Sequence, residues 1–148
     1  MVAAVVAVGG CAPATSPHAR GATYPRPASA VFQAAAEALR DQGYRIAAAD
    51  PVTGRMISVA QWFSADGLSR AGLLKDRDLR LSIGVRLEAD APDHVTVFVE
   101  PLVLRVRANE ALLRPVGAAE RPGWIDGRVD AVYDALDRHL SSPVPPAP

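Results

Sequence analysis

Residues Leu79–Glu88 read LRLSIGVRLE, and this run decides what fold the chain can adopt. Leu79, Leu81, Ile83, Val85 and Leu87 alternate strictly with Arg80, Ser82, Gly84, Arg86 and Glu88. A strand turns successive side chains to opposite faces, so a period of two describes a strand with one apolar and one polar face. Ala89 to Asp93 turns the chain back, and Val95, Val97 and Val99 then alternate with Thr96, Phe98 and Glu100. At Pro101 the apolar phase passes to Leu102, Leu104 and Val106. Proline is confined to strand edges and bulges, so a bulge or strand end is expected there.

Working outward, Ser64 to Asp78 is polar, contains glycine and has no period; it reads as a loop. Before it, Tyr44 to Asp50 and Arg55 to Phe63 read as an antiparallel hairpin. Its turn runs from Asp50 to Gly54, where Pro51 presets φ and Gly54 supplies a positive φ. From Pro27 to Gln42 a helix is expected, with Val31, Phe32, Ala35, Ala36 and Leu39 on one face and Gly43 as a left-handed cap. A second helix opens at Trp124 or Ile125. Ile125, Val129, Val132, Leu136 and Leu140 form its apolar face, and Asp126, Asp130, Asp134 and Asp137 the opposite one. The predicted fold is α+β: a two-layer sandwich with a four-stranded antiparallel sheet and two helices packed on one face, in the order α-β-β-β-β-α. One domain is expected over residues 27–141, followed by a disordered proline-rich tail over 142–148.

Composition removes several function classes. Sixteen basic side chains balance sixteen acidic ones in 148 residues, which is not the charge of a dedicated nucleic-acid binder. One cysteine makes neither an internal disulfide nor a thiolate zinc cluster. Lys75 is the only lysine, and alanine and proline abound, so the arginines read as GC-rich coding and carry little weight singly. No GxSxG elbow, Walker loop, paired-glycine dinucleotide loop or HExxH occurs. His18, His94 and His139 stand apart, in a tether, a turn and a helix end. Asp90, Asp93 and His94 read as a solvated turn, and Ser64, Ser69 and Ser82 have no histidine in register. No catalytic residue, metal ligand or cofactor is assigned, and the chain is expected not to be an enzyme.

The N-terminal reading is more specific. Met1–Gly10 is an uncharged apolar run, too short to span a bilayer but fit for the core of a secretory signal. Val8-Gly9-Gly10-Cys11 resembles a bacterial lipobox. That resemblance implies cleavage before Cys11, acylation of its thiol and a membrane-anchored periplasmic protein; Ala12 after the cysteine favours the outer membrane. The first basic residue is Arg20, so the reading expects a charged n-region upstream of Met1. Residues 11–26, rich in Pro, Ala, Ser and Thr, are expected to form a flexible tether. The alternative is a frayed apolar start on a cytoplasmic protein, with Cys11 a chance thiol.

Val31-Phe32 through Leu39, Gly43-Tyr44-Arg45-Ile46, Asp50 and Gly54-Arg55-Met56-Ile57 resemble the repeated unit of the C component of the outer-membrane β-barrel assembly machinery, and related small periplasmic lipoproteins. The resemblance covers about residues 26–140 and implies a helix-grip-like fold. Trp62 and Phe63, beside a loop ending Leu73-Leu74, either close the core or form an exposed apolar lip. Phe98 and Met56, if outward, would extend a patch for partner or lipid contact. The expected function is a non-enzymatic, tethered accessory or binding module for envelope proteins or lipids. The competing expectation is a small-ligand-binding or enzymatic domain with a groove between helices and sheet.

Overall fold

A computed structural model describes residues 21–62, 79–107, 110–117 and 123–141. Its elements are β1 (Gly21–Tyr24), α1 (Ala28–Asp41), β2 (Ile46–Asp50), β3 (Arg55–Ser58), β4 (Gln61–Trp62), β5 (Leu79–Ala91), β6 (His94–Arg107), β7 (Glu110–Pro115) and α2 (Gly123–Ser141). The strands hydrogen-bond in the order β1-β6-β5-β3-β2, every pair antiparallel. The two-residue β4 pairs with β5 beyond the end of β3, and β7 pairs with β6 beyond the end of β1. The sheet is thus five strand positions wide, not four. The added position lies along β6, whose outer edge recruits two segments without apolar periodicity. One of them, β1, comes from the stretch expected to be tether, so Gly21–Tyr24 is strand and not linker.

The alternating run at Leu79 is the middle of the sheet. Ile83, Val85, Val95, Val97 and Val99 are buried together with Val31 and Leu39 of α1 and Ile125, Val132 and Leu136 of α2. Four alanines of α1 (Ala34, Ala35, Ala36 and Ala38) are also buried, and their small side chains let the helices approach each other closely. Helix α1 ends in a Schellman motif: Gly43 N–H donates to Arg40 O at 2.9 Å and Tyr44 N–H to Leu39 O at 2.9 Å. Gly43 takes the left-handed φ of +79° this requires, and Gly54 adopts +65° in the β2–β3 turn.

Pro101 does not interrupt β6. It sits opposite Ile83 in an unbroken β5–β6 register, whose only irregularity lies between Ala89 and Ala91. The inward phase continues through Pro101 and Val103, both buried, and Leu102 and Leu104 face outward. Proline is tolerated because of where its missing N–H points. Pairing with β1 reaches only Phe98 and pairing with β7 begins at Leu102. Pro101 O accepts from Val116 N–H at 3.0 Å on that edge, so the absent donor faces the gap between the two short strands. The preceding amide, Val99 N–H, donates to the Tyr133 hydroxyl at 3.1 Å, which itself donates to Val97 O at 3.2 Å. A side chain of α2 thereby completes the ladder where strand neighbours run out.

Candidate functional site

Cross-strand partners share a face, so the register assembles the helix-free face in rows. One row is Ala48, Ile57, Gly84 and Glu100; the next is Asp50, Arg55, Arg86, Phe98 and Gly21. On the other side of the first row stands Leu102, opposite Ser82. Small side chains between taller ones leave a valley running across the strands. It is a cavity of about 480 Å³ lined by Ala48, Ile57, Gly84 and Leu102, with Arg55, Arg86, Asp50 and Glu100 at its rim. Gly84 is the low point. A Cβ there would stand 3.1 Å from Leu102 Cδ1, so glycine leaves the room into which the Leu102 side chain packs.

The rim charges are unequally engaged. Arg86 lies over the Phe98 ring, 4.2 Å from its centroid, and pairs with Glu88 and, at 3.6 Å, with Glu100. Asp50 turns into the β2–β3 turn, accepting from Val52 N–H at 2.9 Å, Thr53 N–H at 3.3 Å and Thr53 Oγ1 at 2.8 Å. These bonds hold its carboxyl below the usual carboxylate range. Arg55 is exposed and has no ion pair or hydrogen bond from its side chain among the described residues.

A second concavity, of about 550 Å³, lies between β1 and α2 and is lined by Thr23, Tyr24, Tyr133, Asp130, Asp134 and Asp137. The Tyr24 hydroxyl donates to Asp137 Oδ1 at 2.7 Å. Burial first, then the hydrogen bond and negative charge of Asp137, push this phenol well above its ordinary value. The hydroxyl therefore stays protonated and ties the edge strand to α2.

Of the residues singled out from sequence, Phe98 is half-buried on the helix-free face, where it packs across Gly21 and under Arg86. Met56 is not on that face; it pairs with Val85 and is buried in the core. Trp62 stands opposite Arg80 in β4. Its side chain, Phe63, the loop over residues 64–78, the tail over 142–148, and Cys11 with the signal and tether as far as residue 20 lie outside the described residues. Ser82 is structural: buried, it donates to Ser58 O at 2.6 Å. His139 contacts α1, with Nε2 2.8 Å from Asp41 Oδ2 and Nδ1 3.4 Å from Glu37 Oε2. Sequence reasoning missed the Gly84 valley and Arg55, because both depend on cross-strand register. The isolated Gly84 in an otherwise regular strand was the available signal.

No protein-family model matches the sequence, and none of the curated proteins does. Among solved structures, the chain is similar to the crystal structure of a DUF4468 family protein from Bacteroides ovatus ATCC 8483. The TM-score is 0.37 and the sequence identity 13%, over 84% of this chain and 85% of that one.

Proposed function

We propose that the protein is a non-enzymatic periplasmic lipoprotein, tethered by an acyl group on Cys11, whose helix-free sheet face binds envelope lipids or proteins. The tether rests on the lipobox-like Val8-Gly9-Gly10-Cys11. The observation that carries the binding reading is the valley over Gly84: a mostly apolar concavity on a sheet face against which no described element packs. An antiparallel sheet tolerates a solvated outer face, but such faces are ordinarily polar. Here Ile57, Phe98, Leu102 and Leu104 are all half-buried on it. Apolar surface gathered in this way is a contact surface for a partner or lipid.

Expression in a bacterium fed labelled palmitate tests the tether. The wild-type chain should carry label and sediment with membranes, and Cys11→Ser should lose the label and appear in the soluble fraction. An unlabelled wild-type chain, or a Cys11→Ser variant that still carries label, would refute it.

A further inference from the structure

Among the described residues one cation of the valley, Arg55, has no ion pair or side-chain hydrogen bond, and its placement names a ligand class. Arg55 and Arg86 are direct cross-strand neighbours, an arrangement that is destabilising for like charges unless something compensates. Arg86 is compensated by Glu88, Glu100 and the face of Phe98. Arg55 is not, because Asp50, directly opposite it, spends its carboxylate on the turn backbone and on Thr53. The valley beside Arg55 is apolar along Ala48, Ile57, Gly84 and Leu102. At about 480 Å³ it falls within the range of small-ligand sites, roughly 300–1,000 Å³. An apolar floor with a cation beside it is complementary to a small molecule that carries an anionic head and an apolar chain.

We infer that this valley binds a single-chain anionic amphiphile, a fatty-acid-like carboxylate whose head meets Arg55 and whose chain lies along Ile57, Gly84 and Leu102. The assignment deepens the lipid-binding reading above and rests on it. The head pairs with the Arg55 guanidinium. The chain removes apolar surface of Ile57 and Leu102 from water.

Titration of the full chain with straight-chain carboxylates from octanoate to laurate, below their micellar range and followed by calorimetry, tests this. Binding should saturate at one ligand per chain. Affinity should rise about two- to fourfold per added methylene, the upper figure being that of a fully buried one. Arg55→Gln should weaken laurate about three- to tenfold while leaving dodecanol unchanged, which separates head recognition from chain burial. Gly84→Val should abolish binding of both ligands. Because its new methyls press on Leu102, Ala48→Phe on exposed β2 serves as a second block, with an unchanged melting temperature showing that it folds. Equal laurate affinity for wild type and Arg55→Gln overturns the assignment, as does laurate binding that survives Ala48→Phe. Absence of laurate binding in a chain that still partitions through Cys11 also overturns it, and leaves the tethered-lipoprotein reading standing.

Discussion

Tyr133 performs two tasks with one side chain. Its ring is buried in the core, and its hydroxyl accepts from Val99 N–H and donates to Val97 O. Tyr133→Phe keeps the ring and strands a buried amide, which should lower stability by about 1–3 kcal/mol. The expected reading is a reduced urea midpoint with an unchanged m-value; a loss under about 0.5 kcal/mol would mean that water replaces the hydroxyl. Asp50 shows the same economy at the β2–β3 turn, where three donors converge on its carboxylate. Its folded-state pKa lies below the ordinary 3.8. Its contribution is therefore complete above that value and is lost as pH falls below it, through the folded-state pKa. Asp50→Asn keeps the turn geometry and removes this titration, so stability measured by denaturant from neutral pH down to about pH 2 should fall less steeply than in wild type. A parallel acid profile for the two proteins would refute the assignment.

The elements differ in how locally they are specified. Helix α1 carries its own stripe and its own stop signal, and Gly43 was legible as a cap because a Schellman motif involves only neighbouring residues. Gly43→Ala meets open space, so its cost is conformational, about 1 kcal/mol from the left-handed φ, and should appear as a lower melting temperature with native spectra. Strand β1 is the opposite case. Gly21–Tyr24 has no period to read, and it exists because β6 offers an unpaired edge and α2 holds it in place. Tyr24 donates to Asp137, and the Arg26 guanidinium donates to Leu140 O at 3.1 Å. Pro101 was misread for a related reason. The residue does forbid a donor, but only the arrangement of β1 and β7 reveals that no acceptor waits for it.

In the whole molecule the sheet separates a face buried under the helices from one that no described element covers. Leu136 is fully buried on the helix side, and Leu136→Ala should cost about 2–5 kcal/mol in urea unfolding. Ala48→Phe on the opposite face should change stability by no more than about 0.5 kcal/mol, because Ala48 is exposed. A large loss from the second would place Ala48 in the core and dissolve the separation. The pattern of residues by itself determined the α+β class, both helices, the two long strands and which side of β5, and of β6 as far as Val99, is apolar. These follow from periods of 3.6 and 2 that every segment carries within itself. It also supplied the lipobox-like approach to Cys11, a linear motif that needs no fold to be read. Only the tertiary structure decided the fifth strand position, the fate of Pro101 and the valley beside Arg55. Those depend on register between residues far apart in the chain, such as Gly84 opposite Glu100 and Arg55 opposite Arg86. A shift of one residue in that register would turn each of these side chains to the other face.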